Sequence, residues 1–228
     1  MRARCRLLLA LLLAPAALST AADPLVVKRF VVNAGTAAEP FPVNSYLVSH
    51  LPSRSAVLID PGAADERFVA VAAEQGVQVL MVLNTHGHFD HSAGNAACRE
   101  RFGAKLAAPA ADRALYEKSG GAAMVDLWFR DGQELECGGL TVRVLATPGH
   151  SPGSSCFLIG GQLFSGDTLF AGGVGRVPEG VNEEKALKDL ARVIRKKLLA
   201  LPAATPVWPG HGRPTTIGEE ALLNPFLN

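Results

Sequence analysis

The chain has 228 residues, 48% hydrophobic and 19% charged, with 22 basic and 21 acidic residues and a formal net charge of +1. That length can bury a full core without disulfide or metal staples, and the even charge balance excludes a nucleic-acid binder or a polybasic membrane-surface protein. The apolar content excludes disorder, and the 23 glycines and 15 prolines follow no collagen-like period.

At the N-terminus, Arg2, Arg4 and Arg6 precede an apolar run over 7–18 and the small residues Ser19, Thr20, Ala21 and Ala22. A bilayer span needs about 20 apolar residues, and this run is too short. Residues 1–22 are therefore read as a cleavable secretory signal. The mature protein, 23–228, is expected to be periplasmic or secreted, with no stable membrane anchor; organellar import is the alternative. Cys98, Cys137 and Cys156 lie in no metal-binding or redox spacing and read as small buried side chains.

Runs over 25–32, 44–49 and 56–59 are short, alternating or β-branched, and broken by turn residues, which predicts strands. A helix is expected over 64–75, a wholly apolar strand over 79–83, and helices over 92–102 and 111–118. A second set of strands is expected over 141–146, 156–159 and 162–164. Asn182 then caps a helix whose Leu187, Leu190, Ala191, Ile194, Leu198 and Leu201 share one face, with Glu183 and Glu184 at its N-terminus. A strand at 207–208 and a short helix at 219–223 end the pattern. Two similar halves suggest one domain of two sheets packed face to face, with helices outside.

The chemistry concentrates in histidines. His50 reads as a surface residue. His86, His88, His91, His150 and His211 each sit beside Gly or Asp just after an apolar run, a placement that packing does not explain and that suits a site on a sheet rim. His86, His88, Asp90 and His91 can face one volume only if the backbone turns sharply, and Gly87 permits that. Imidazole and carboxylate suit Zn, Fe or Mn better than Mg or Ca. With His150, Asp167 and His211 added, five histidines and two aspartates fit two metals sharing a bridge.

The run from His86 to His91 resembles the H-x-H-x-D-H signature of the metallo-β-lactamase superfamily. The phrases THGHFDHSAGN (85–95), TPGHSPGS (147–154), GDTLFAGGVGR (166–176) and GHGRPTTIGEEALLNPFL (210–227) resemble its hydroxyacylglutathione hydrolase (glyoxalase II) group, especially short single-domain hydrolases. The resemblance implies an α/β fold, a four-layer αββα sandwich. It implies two divalent metal ions, zinc first, with iron or manganese accepted by the same ligands. His86, His88 and His150 would hold one ion and Asp90, His91 and His211 the other, with Asp167 bridging. Two cations sharing a water lower its pKa and polarise an attacked carbonyl, and Asp90 could orient that water. Asp60 resembles the acidic residue supporting the histidine loop, the alternative being a plain turn residue. Arg176 aligns with the basic residue that contacts a substrate carboxylate, the alternative being an exposed turn arginine. Tyr46 is read as structural.

The implied substrate is a small-molecule thioester, S-lactoylglutathione or a relative. A lactonase on the same metals and a mononuclear-iron persulfide dioxygenase using His86, His150 and Asp167 are the alternatives. The chain departs from full-length glyoxalase II in three places. The C-terminal helical domain that supplies glutathione contacts is not matched. Gly212-Arg213-Pro214 follows His211 where a tyrosine is expected, and Val177-Pro178 follows Arg176 without an aromatic.

Overall fold

The computed structural model describes residues 25–228; the expected signal segment lies outside them. The first half runs β1 (Leu25–Asn33), β2 (Pro42–His50), β3 (Ser55–Ile59), α1 (Glu66–Gln75), β4 (Gln78–Leu83), α2 (Phe89–Ser92), α3 (Asn95–Phe102), β5 (Lys105–Pro109), α4 (Arg113–Lys118) and β6 (Leu127–Phe129). The second half runs β7 (Glu134–Cys137), β8 (Leu140–Ala146), β9 (Ser155–Ile159), β10 (Gln162–Gly166), β11 (Leu169–Phe170), β12 (Gly173–Val174), α5 (Glu183–Lys197), β13 (Pro206–Pro209), β14 (Thr215–Thr216) and α6 (Ile217–Leu223). One six-stranded sheet has the order β1-β2-β3-β4-β5-β6 and the other β14-β13-β10-β9-β8-β7.

Burial by alternation explains the layers. Along β3, Val57 and Ile59 point between the sheets while Ala56 and Leu58 point at the helices on the outer face. A strand covered on both sides has no polar face, and β3 is buried at every position. Between the sheets, Tyr46, Val48, Leu83 and Phe129 meet Leu140, Val144, Phe157 and Phe164. Outside the first sheet, Leu47, Val82 and Leu106 pack on Phe68 and Ala72 of α1 and Cys98 of α3. Outside the second, Cys156, Leu163 and Val207 pack on Leu190, Ala191 and Ile194 of α5 and Ile217 of α6. The four layers are the αββα sandwich that the sequence resemblance implies.

Local signals set the helix ends. Asp65 caps α1, accepting from the Arg67 N–H, so this helix starts at 66 rather than 64. Asn182 caps α5 as expected, accepting from the Lys185 N–H; Leu201 lies beyond its end. The helix expected over 92–102 divides into α2 and α3 at Gly94, whose N–H turns away to the Pro61 carbonyl at 2.7 Å. The strands β5, β6 and β7 were not among those expected. In β5, Leu106, Ala107 and Ala108 have little intrinsic strand preference, and the partners β4 and β6 decide the conformation. Cys98, Cys137 and Cys156 are buried free thiols; burial raises their pKa to about 12, 11 and 11. No helix among the described residues is long and apolar enough to cross a membrane.

The rings of Phe129 and Phe157 meet edge to face across the sheets at 5.5 Å. Phe157→Ala is expected to lower stability by about 3–5 kcal/mol, read as a shifted urea midpoint. A loss below about 1 kcal/mol would show that this contact does not hold the sheets together.

Candidate metal centre

Five strands deliver their C-terminal ends to one edge of the sandwich. In the first sheet β3 runs parallel to β4. In the second, β8 and β10 both run antiparallel to β9, and β10 is parallel to β13. The residues just beyond are Asp60, the 84–91 turn, His150, Asp167 and His211. Strand ends are where polar groups can leave a doubly buried sheet, as in other α/β folds.

The turns bring all seven expected ligand residues together, in two groups. His86, His88 and His150 form one; Asp90, His91, Asp167 and His211 form the other. Within each group, one ligand atom per residue lies within 4.8 Å of the others. His88 Nδ1 is 2.9 Å from His150 Nε2. Asp90 Oδ2 is 3.2 Å from Nε2 of both His91 and His211. Asp167 touches both groups: Oδ1 is 3.3 Å from His91 Nε2, and Oδ2 is 3.4 Å from His211 Nε2 and 3.5 Å from His150 Nε2. The backbone comes very close behind this carboxylate. A Cβ on Gly210 would strike Asp167 Oδ1, and one on Gly175 the Asp167 carbonyl.

Outward-facing nitrogens fix the rings. His91 Nδ1 meets Asp60 Oδ2 at 2.9 Å, His150 Nδ1 the Arg176 carbonyl at 2.7 Å, and His211 Nδ1 the Pro42 carbonyl at 2.8 Å. With Nδ1–H donating in each, Nε2 is the nitrogen that faces inward, the one a metal would take in place of its proton. His88 is the exception, presenting Nδ1 to the cluster.

Asp60 is more than a turn residue. Buried just past β3, it holds a left-handed φ of 49°, and its carboxylate accepts from Thr85 N and Thr85 Oγ1, both at 2.7 Å, as well as meeting His91. Asp112 does parallel work that the sequence did not signal. Its Oδ2 accepts from Gly87 N at 2.9 Å and Ser151 Oγ at 2.7 Å, and its Oδ1 from Gly153 N at 2.6 Å. It thereby ties the 85–91 turn to the 147–153 turn. In sequence it stands at the start of a helix, and only the fold shows what it bridges. Tyr46 is structural as expected: its hydroxyl donates to the Pro209 carbonyl at 2.6 Å. Asn44 Nδ2 donates to the carbonyls of Pro209 and Gly212, steadying the turn that carries His211.

Charge in the centre is strongly divided. Burial, with His91 nearby, holds His86 well below the usual imidazole value, and burial with His150 lowers His88. Burial also acts downward on His91, but Asp167 and Asp60 outweigh it and raise the pKa well above normal. For His211, burial is outweighed by hydrogen bonds to Asp167 and Asp90, and the pKa rises to about 9. Burial would raise Asp90 and Asp167; their histidine partners outweigh it and hold both carboxyls low.

The donor set fits divalent metal ions. His86 Nε2, His91 Nε2 and Asp167 Oδ1 are buried polar atoms without a hydrogen bond, which a folded protein rarely tolerates unless something else satisfies them. All three point into the two groups.

The profile of the metallo-β-lactamase superfamily matches residues 38–211. The chain belongs to this superfamily. Hydroxyacylglutathione hydrolase GloC of Haemophilus influenzae is 34% identical over 192 residues, covering 77% of this chain and 88% of the relative. The crystal structure of the BLEG-1 B3 metallo-β-lactamase superposes with a TM-score of 0.74 at 30% identity, over 89% of this chain and all of that one. TTHA1623, solved in a di-iron-bound form, superposes with a TM-score of 0.68 at 37% identity, over 87% of this chain and all of that one.

The two groups open into a cleft of about 450 Å³ lined also by Phe41, Phe89, Phe170 and Arg176. Arg176 is exposed at its edge.

Asp60→Asn keeps a side chain that accepts the left-handed backbone, yet one carboxylate acceptor becomes an amide donor. A buried partner loses its acceptor, which costs about 1–3 kcal/mol. Urea unfolding of chelator-treated protein should show that loss; an unchanged midpoint would reduce Asp60 to a turn residue.

Proposed function

We propose that this protein is a dinuclear metallo-hydrolase of small thioesters, of the hydroxyacylglutathione hydrolase type, acting on S-lactoylglutathione or a related thioester outside the cytoplasm. The observation that carries this reading is Asp167, whose Oδ1 faces His91 while its Oδ2 lies between His211 of the second group and His150 of the first. His86, His88 and His150 would hold one divalent cation, Asp90, His91 and His211 the second, and Asp167 both. Two cations so held supply Lewis acidity, lowering the pKa of a shared water and polarising a carbonyl. The similarity to the Haemophilus hydroxyacylglutathione hydrolase supports the substrate class, and the di-iron form of TTHA1623 supports the paired ions.

The chain's own groups account for the rest. Asp90 stays ionised beside His91 and His211, so it can accept a hydrogen bond from the attacking water and orient it. Asp60 and the Arg176 and Pro42 carbonyls keep three imidazoles turned with Nδ1 outward and Nε2 toward the ions. Arg176, a fixed cation at the cleft edge, pairs with a carboxylate on the substrate and holds the scissile carbonyl over Asp167.

If Asp167 serves both groups, Asp167→Ala should lower metal content below two ions per chain as well as the rate. Elemental analysis showing two ions retained would remove the bridging role. Arg176→Ala should raise KM for S-lactoylglutathione about tenfold, the loss of one exposed charge-assisted contact of about 1.4 kcal/mol, with kcat little changed. Steady-state kinetics with an unaltered KM would place the carboxylate elsewhere. Oxygen uptake with glutathione persulfide separates the dioxygenase alternative, since a hydrolase consumes none.

A further inference from the structure

The cleft has two unlike ends. Apart from the His/Asp groups of the centre and Arg176, its lining side chains are three phenylalanines. Phe41 lies 5.5 Å from Phe89, the rings tilted, and meets the His211 ring edge to face at 5.8 Å. Phe170 stands 6.2 Å from the same imidazole. The aromatic end therefore borders His211. The cationic end borders His150, whose Nδ1 is held by the Arg176 carbonyl.

Phe170 is half-buried, but the other two rings are held out in water. Phe89 is 58% exposed and Phe41 39%, although Phe89 sits between two residues of the ligand run. The loop carrying Phe41 is built to present it: Asn33 Oδ1 accepts from the N–H groups of Gly35 and Phe41, at 3.0 and 2.7 Å, and the Ala34 N–H donates to the Phe41 carbonyl at 2.9 Å. Preorganised, exposed aromatic rings at a cleft mark a surface meant to be covered.

We infer that Phe41, Phe89 and Phe170 form a subsite for the acyl group of the substrate, and that the preferred acyl groups are aryl or bulky apolar ones rather than the small lactoyl group. The inference rests on the hydrolase reading and on Arg176 pairing with the carboxylate of the thiol half. A thioester carbonyl has two substituents on opposite sides. With the thiol half drawn toward Arg176 and the carbonyl over Asp167, the acyl substituent points at the His211 end, against the rings. The lining there offers no side chain dedicated to an α-hydroxyl. It offers ring faces and edges, which an aryl or branched acyl group covers.

The test uses metal-loaded protein and two thioesters of N-acetylcysteine, phenylacetyl and lactoyl, so that the thiol carboxylate stays constant. The phenylacetyl ester is expected to show at least tenfold higher kcat/KM, mostly through KM. In Phe41→Ala, checked for fold by circular dichroism, that ratio should fall to within about threefold. Binding gives a readout independent of turnover: phenylacetate should bind at least tenfold more tightly than acetate by NMR titration, and Phe41→Ala should abolish the difference. Equal turnover of both esters with equal binding of both acids overturns the subsite and leaves the hydrolase reading standing. Preferential phenylacetate binding without turnover of either ester keeps the subsite and removes the thioesterase reading. A wild-type preference undiminished in both Phe41→Ala and Phe89→Ala also overturns it.

Discussion

A sheet covered on both faces leaves polar side chains nowhere to go but the ends of its strands, and this constraint shapes the whole molecule. β3 and β4 are nearly all apolar because helices lie on one side and the second sheet on the other. The same burial that stabilises the sandwich therefore sweeps the chemistry to one rim, where Asp60, the 84–91 turn, His150, Asp167 and His211 emerge together. The rim is crowded with groups that repel or orphan one another, and the sandwich supplies the rigidity that keeps them there.

That crowding is managed by a ring of supports one step back from the cluster. Asp60, Asp112 and the carbonyls of Pro42 and Arg176 each hold a ligand ring or a ligand-bearing turn. All four supports come from outside the turns they steady. In isolation the 85–91 segment would have no reason to keep its shape, and its order is a property of the assembled fold.

How much of this could be read from the sequence follows from the same physics. The seven residues of the two groups were legible because each is an unusual residue type placed directly after an apolar strand. The long amphipathic α5 announced itself through Asn182 and its apolar stripe. β5 was not legible, because its Leu-Ala-Ala core has no strand character of its own and takes its conformation from β4 and β6. Nor was the break at Gly94, which depends on a bond to the Pro61 carbonyl from a distant loop. Asp112 and Phe41 were missed for one reason. A lone carboxylate before a helix and a lone aromatic in a loop are common, and only proximity to the rim gives them meaning.

Where the β1–β2 loop meets β2, two adjacent residues have different duties. Phe41 faces the cleft, and the Pro42 carbonyl steadies His211, a partly exposed ring of the ligand set. Because the two share one peptide linkage, lengthening or replacing this loop changes the wall of the cleft and the footing of a ligand histidine together. An attempt to retune the enzyme by loop grafting would thus meet lowered metal retention as a side effect. Point changes to the Phe41 side chain, which leave the Pro42 carbonyl in place, offer the safer route for altering selectivity.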